Sequence, residues 1–219
     1  MNYFVTGTDT HVGKTLISCA LLHGFAAQGK RVVGMKPIAA GCNNDGQNED
    51  VVQLRAASNV KVGYELTNPY CFIPAIAPHL AAQQTGIEIQ LPRIVAAYQK
   101  LAAQADVVIV EGVGGLCVPL NVQQDSADML KALGLPVILI VGIRLGCLNH
   151  ALLTVEAINA RGLSLAGWAA NVLEVDMPQW EANIAALQQR MAAPLLGIVP
   201  YLPNADAHVA LRQLDLDRL

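Results

Sequence analysis

Tyr3-Phe4-Val5-Thr6-Gly7-Thr8-Asp9-Thr10-His11-Val12-Gly13-Lys14-Thr15 is a short apolar run that breaks into a small, glycine-flanked loop ending in Gly-Lys-Thr. Beyond it, Leu16, Ile17, Ala20, Leu21 and Leu22 recur at helical spacing, so the expected context is strand, loop and helix. This is the pattern of a P-loop. A loop that wraps a polyphosphate needs small residues so that successive backbone N–H groups point inward, and the helix N-terminus behind it adds partial positive charge. On this reading Lys14 reaches the outer phosphates and the Thr15 hydroxyl sits on a magnesium ion. Five residues separate Gly7 from Gly13, and Thr8 stands where the commonest spacing has its first glycine.

Outward from this loop, apolar runs of strand length recur at residues 3–6, 31–35, 107–110, 137–141, 165–170 and 195–199, with helical patterns between most of them. Continuous apolar strands alternating with amphipathic helices predict a mainly parallel sheet covered on both faces, a doubly wound, three-layer α/β sandwich. No repeat, low-complexity tract or linker divides the chain, so one domain over residues 1–219 is expected. The longest stretch without a clear strand is 39–104, an insertion with helical candidates at Glu49–Ala57, 79–84 and 92–104.

Composition narrows the function. The chain is 53% hydrophobic and only 14% charged, which requires a sizeable buried core. A formal net charge of -3 without a Lys/Arg run argues against a nucleic-acid surface. No apolar run reaches the roughly 18 residues of a membrane span, and Met1 leads straight into the first strand with no room for a signal peptide. A cytosolic protein is expected. The five cysteines are odd in number and lack a C-x-x-C pair, which predicts reduced thiols rather than disulfides or structural zinc. The five histidines show no metal-ligand spacing either.

Ligands of open parallel sheets gather beyond the carboxyl ends of the strands, so the residues just past each apolar run are informative. The P-loop comes after the first, Lys36-Pro37 after the second, Glu111-Gly112-Val113-Gly114-Gly115 after the third, residues 142–150 after the fourth, Asn171 after the fifth, and Pro200-Tyr201-Leu202 after the last. Lys36 at a strand end suits an anion, or a surface lysine with its stem on apolar neighbours. Glu111 after a buried strand has the layout of a metal-positioning acid, or of a carboxylate capping backbone N–H groups. Asp50 suits either the dipole of the helix it begins or a second magnesium carboxylate. Substitution of Glu111 or Asp50 is therefore expected to act on metal affinity more than on folding. The loop 142–150 precedes another helix whose N–H groups suit a carboxylate, or simply an ordinary capped helix start. Cys147 has no acid–base relay beside it in the sequence and is not read as a nucleophile.

With these residues assembled, the chain resembles the dethiobiotin synthetase family over nearly its whole length. The resemblance rests on Gly-Thr-Asp-Thr-x-Val-Gly-Lys-Thr from Gly7 to Thr15, Lys36-Pro37, Asn68-Pro69-Tyr70, Pro78-His79, Val110-Glu111-Gly112-Val113-Gly114-Gly115, Leu145-Gly146-Cys147-Leu148-Asn149-His150 and Gly167-Trp168. It implies a cytoplasmic, homodimeric ligase that uses ATP and Mg2+ to make the ureido ring of dethiobiotin from the diamine 7,8-diaminononanoate and CO2. By the same resemblance Lys14, Lys36 and Thr10 are catalytic, and Thr15, Asp50 and Glu111 place magnesium. His11, Val12, Gly13, Lys14, Thr15 and Leu16, with Glu111, Gly112, Val113 and Gly114, line the nucleotide, and Asn171, Pro200, Tyr201 and Leu202 surround adenine. Ala40, Gly114, Cys147, Leu148 and Asn149 meet the substrate, the last three holding its carboxylate near the dimer interface. Three positions depart from the family: His11 replaces an acidic or small residue, Ala40 a Ser or Thr, and Val172 an Asp. The rival is a P-loop ATPase that acts as a nucleotide-switched positioning protein. Such proteins carry an additional Lys near the start of the loop, where this chain has Thr8 and Asp9. An amide-forming ligase on the same core would need a glutaminase domain, which is not expected here.

Overall fold

The computed structural model describes residues 1–219, and their order follows the alternation of patterns. The chain runs β1 (Asn2–Gly7), α1 (Lys14–Ala27), β2 (Val32–Met35), β3 (Ile38–Ala40), α2 (Glu49–Ala57), α3 (Tyr64–Thr67), β4 (Tyr70–Phe72), α4 (Pro78–Gln84) and α5 (Leu91–Ala102). It continues through β5 (Val107–Glu111), α6 (Ser126–Leu133), β6 (Val137–Ile143), α7 (Cys147–Ala160), β7 (Leu165–Val172), α8 (Trp180–Gln188), β8 (Leu195–Val199) and α9 (Ala207–Leu211). Six strands form one sheet in the order β2-β5-β1-β6-β7-β8, and every neighbouring pair is parallel. The fold is thus the expected doubly wound α/β sandwich. None of its helices is long and apolar enough to cross a membrane.

Side-chain alternation explains why the strands read as continuous apolar runs: both faces are buried. In β1, Phe4 enters a core with β5 residues Val108 and Val110 and α5 residues Ile94 and Leu101. Its neighbours Tyr3 and Val5 point the other way, onto α1 residues Ile17, Leu21 and Phe25. A third cluster packs α7 and α8 against β6 and β7 around the fully buried Trp168. The crossover after β1 runs to β2 on one side, whereas that after its neighbour β6 runs to β7 on the other, so their carboxyl ends flank a topological switch point. The P-loop emerges there.

Two expectations for the insertion are corrected. It is not strandless, because β3 and β4 pair in parallel with Ile38 opposite Tyr70 and Ala40 opposite Phe72. Three-residue strands carry too little periodicity to be read from sequence. Beyond the bend at Pro37, whose carbonyl accepts the Tyr70 N–H at 3.0 Å, the backbone proceeds into β3. Secondly, Cys42 and Cys71 form a disulfide, whereas Cys19, Cys117 and Cys147 are free thiols. Counting cysteines missed it because the pairing is made by this small sheet: the Cys42 N–H donates to the Phe72 carbonyl at 2.9 Å, next to Cys71.

Both outer strands of the large sheet have partners outside it. Along β2, Val32 N–H donates to Asn59 Oδ1 at 2.7 Å and Gly34 N–H to Ser58 Oγ at 2.9 Å. Along β8, Gly197 bridges Leu214 in antiparallel fashion, and the Leu196 carbonyl accepts the Asp215 N–H at 2.7 Å. A Cβ at Gly197 would lie 1.9 Å from the Gln213 carbonyl oxygen, so this crossing requires glycine.

Candidate active site

The loop between β1 and α1 is held from beneath. Thr8 N–H donates to the Ile140 carbonyl at 3.0 Å, and Asn171, at the end of β7, donates from Nδ2 to the Val12 carbonyl at 3.0 Å. Val12 is buried, so its side chain anchors the loop while the backbone around it faces the cleft. His11 has φ 58° and Gly13 φ 92°. At Gly13 a Cβ would stand 2.2 Å from Asn171 Nδ2, so both the left-handed backbone and the close approach demand glycine. Helix α1 begins with no side-chain cap, leaving its first N–H groups directed at the cleft.

Two lysines and two carboxylates meet in front of this loop. Lys14, nearly buried, donates from Nζ to the Asp9 carbonyl at 2.8 Å. Burial, followed by the neighbouring Lys36 charge, brings its pKa from the usual 10.5 to about 8. Lys36 is buried at the end of β2, and its Nζ lies 2.6 Å from Glu111 Oε1 and 2.8 Å from Asp50 Oδ2. Burial opposes the Lys36 charge, but the two carboxylates outweigh it and raise its pKa. Asp50 likewise loses to burial yet is held below the usual carboxylate range by the Lys36 ammonium. It sits in the first turn of α2, whose start is fixed by Asn48 Oδ1 accepting the Asp50 N–H at 3.1 Å. The Thr15 hydroxyl donates to Glu111 Oε1 at 2.9 Å.

Glu111 is fully buried, and its second oxygen, Oε2, has no hydrogen-bond partner. An acceptor stranded in this way is costly unless something positive approaches it. Together with Asp50 and the Thr15 hydroxyl it forms an all-oxygen donor set, which fits a hard divalent cation such as magnesium. A further group, outside the sequence expectations, closes the loop from the side: Arg144, just past β6, pairs with the Asp9 carboxylate at 2.5 Å. The Thr10 N–H also donates to that carboxylate, at 2.7 Å, and this bond, with Arg144, holds Asp9 below its usual pKa.

These groups line one cleft of about 890 Å³. The loop contributes Thr10, His11 and Gly13, and α1 contributes Lys14, Thr15 and Leu16. Opposite them stand Lys36, Ala40 and Asp50, with Glu111, Val113 and Gly114 closing the floor. Val12 and Gly112 are buried behind this surface, and Asn171 is spent on the loop's underside. Pro200, Tyr201 and Leu202 are not in its lining, which on that side includes Ala205. Cys147, Leu148 and Asn149 form the first turn of α7 and lie outside this cleft; Cys147 is buried and Asn149 exposed. Sequence reasoning missed Glu49, Gln53 and the apolar wall of Ala75, Ile76, Ala77 and Pro78. Helical spacing from Asp50 was a usable signal for Gln53, and the Pro78-His79 pair for the wall. Nothing local announced Arg144.

A family model described as an AAA domain matches residues 1–209. The chain is 56% identical over 217 residues to an ATP-dependent dethiobiotin synthetase of Nitrosospira multiformis, covering 99% of this chain and 96% of that protein. It is 55% identical over 207 residues to the synthetase of the same name from Aromatoleum aromaticum, covering 93% and 92%. Among solved structures, cobyrinic acid a,c-diamide synthase of Mycobacterium smegmatis with bound ADP and magnesium superposes with a TM-score of 0.55 at 17% identity, over 96% of this chain and 91% of that one. The septum site-determining protein MinD of Pyrococcus horikoshii, complexed with Mg-ADP, gives 0.54 at 15% identity over 100% and 89%. The last two likenesses are of fold alone.

Proposed function

The chain belongs to the ATP-dependent dethiobiotin synthetase family, and on that premise we propose that the cleft in front of the P-loop is where the ureido ring of dethiobiotin is closed. The enzyme is an ATP-dependent cyclo-ligase of biotin biosynthesis. It joins 7,8-diaminononanoate with CO2 and releases ADP and phosphate.

One amine of the substrate adds to CO2 and loses a proton, giving a carbamate. The carbamate oxygen takes the γ-phosphoryl group of ATP to form a mixed anhydride. Attack by the second amine on the carbamoyl carbon then closes the ring and expels phosphate. Every stage develops negative charge on oxygen, so catalysis consists mainly of positioning and of cations aimed at that charge. Lys14 meets the outer phosphates of ATP; the burial that depresses its pKa also leaves little water to compete for it. Lys36 faces the carbamate, its charge held in place by Glu111 and Asp50. Thr10, exposed on the loop, meets the transferring group from the other side. Thr15, Asp50 and Glu111 are the residues that would hold Mg2+, which when bound offsets phosphate charge. The observation that carries this reading is the buried Lys36 ammonium between two carboxylates beside a P-loop threonine.

His11, Val12, Gly13 and Leu16, with Gly112, Val113 and Gly114, complete the nucleotide cradle, and Asn171, Pro200, Tyr201 and Leu202 border the adenine. Ala40 and Gly114 face the diamine. The working form is a cytoplasmic homodimer in which Cys147, Leu148 and Asn149 hold the substrate carboxylate across the interface. Supporting this, the α7 turn lies outside its own chain's cleft, and Leu145 and Leu153 beside it are 92% and 55% exposed. The test is phosphate release with ATP, magnesium and bicarbonate, with and without the diamine. Release that depends on the diamine and yields a product of dethiobiotin's mass is expected; vigorous release that ignores the diamine, with no cyclic urea, refutes the proposal.

A further inference from the structure

A carboxylate inside a phosphate-binding loop is an electrostatic contradiction, and Asp9 is one. It lines the cleft between Gly7 and Lys14, where several negative charges must enter. Left alone, it would repel the polyphosphate and compete for the Lys14 ammonium, whose resting acceptor is already the Asp9 carbonyl at 2.8 Å. Instead its carboxylate is turned away onto Arg144 and the Thr10 N–H. Arg144 comes from a well-anchored point. It succeeds Ile143 at the end of β6, and the adjacent Gly142 N–H reaches Thr8 Oγ1 at 3.4 Å, so β6 grips the loop at two successive positions. A Cβ at Gly142 would meet Val12 at 2.8 Å, so strand and loop are also in close contact there.

We propose that Arg144 is a positioning residue for nucleotide binding, which neutralises Asp9 and holds it aside so that Lys14 remains available to the phosphates. The inference rests on the ATP reading above. The pair is partly exposed, with side chains at 36% and 46%, so it contributes little to folding. Its value lies in the field inside the cleft, where a neutralised acid and a free lysine both favour an anion.

The test is a double-mutant cycle read as Mg-ATP affinity and as separate KM values for ATP and diamine, with thermal unfolding as a control. Arg144→Gln should weaken ATP binding roughly tenfold, equivalent to about 1.4 kcal/mol, and raise the KM for ATP while that for the diamine stays put. Arg144→Lys, which keeps the charge, should recover most of the loss. The decisive member is Asp9→Asn/Arg144→Gln: with the carboxylate gone there is nothing to neutralise, so it should bind ATP at least about fivefold more tightly than Arg144→Gln alone. A double variant as weak as the single one would show that the guanidinium acts on the ligand directly, and unchanged affinity in Arg144→Gln would show that it does not act on binding at all; either result overturns the inference. Failure of the parent protein to bind ATP would instead sink the reading on which it rests.

Discussion

Replacing Glu111 by Gln removes one charge from a group of three, of which Lys36 and Glu111 are buried. Its carboxylate is fully buried and 2.6 Å from Lys36 Nζ, which is itself buried, so the substitution leaves an ammonium short of compensation in a site with little water. Breaking a buried pair in this way costs about 3–5 kcal/mol. Here Asp50 Oδ2 remains 2.8 Å from Lys36, and a Gln amide oxygen can still accept from Thr15, so the lower end, about 3 kcal/mol, is expected. For a chain of this size, a Tm falling about 2–4 °C per kcal/mol gives a drop of roughly 6–12 °C. Asp50→Asn offers the contrast. Its side chain is 40% exposed, so the loss should stay within about 1 kcal/mol, or up to about 4 °C. For Glu111 this departs from the expectation, drawn from sequence, that both substitutions act mainly on metal affinity. The assay is thermal unfolding at neutral pH without metal or nucleotide, checked by urea titration. Equal losses in the two variants, or a Glu111→Gln protein within about 2 °C of the parent, would refute the reasoning. A further check is Lys36→Met/Glu111→Gln, which removes both buried charges and should regain at least half of the single variant's loss.

Three other outcomes are expected. With Lys14 at a pKa of about 8 in the free protein, polyphosphate binding takes up a proton, so ATP affinity should fall between pH 8 and 9.5 by up to about tenfold per unit. In the same window the unfolded chain binds more protons at this residue than the folded one does, so nucleotide-free stability from this group should rise with pH. Nucleotide titrations and unfolding curves at several pH values must therefore move in opposite directions, and a pH-independent affinity would contradict the assignment. Ala40→Ser, which adds a hydroxyl in the cleft, should lower the KM for the diamine by a few-fold, the scale of one net hydrogen bond, without moving ATP affinity; a raised constant would show that the wall has been rebuilt around the methyl group. The Cys42–Cys71 bond closes a chain segment 29 residues apart in sequence, for which loop entropy predicts about 3–4 kcal/mol, so Cys42→Ser/Cys71→Ser should melt well below the oxidised parent and alongside the reduced one. Coincident curves for all three would remove the bond from the account.

The large sheet was legible because both of its faces are buried: residues 107–110 and 137–141 read as unbroken apolar runs, and the unusual loop before Lys14 could stand in only one place relative to them. Lys36, Asp50 and Glu111 could each be marked as the polar residue closing or opening an element. What sequence could not convey was their mutual distance. That one ammonium would touch both carboxylates depends on β2 and β5 being neighbours and on α2 starting beside them, which is tertiary information. Arg144 and Asp9 are 135 residues apart and meet only because β1 and β6 are paired. The disulfide was hidden for the same reason, since it depends on two strands too short to show a period.

The outer strands of the large sheet carry one more implication. Backbone groups of β2 are engaged by Ser58 and Asn59, and those of β8 by the segment around Leu214 and Asp215. Two copies of this chain therefore have no ready strand border along which to zip their sheets into one. A union between copies would then be made through side chains, and Leu145 in the loop before α7 and Leu153 on α7 are among the exposed apolar ones. Amide protons of β2 and β8 should accordingly exchange at rates set within each chain, unchanged by dilution, while those near the α7 turn respond to it.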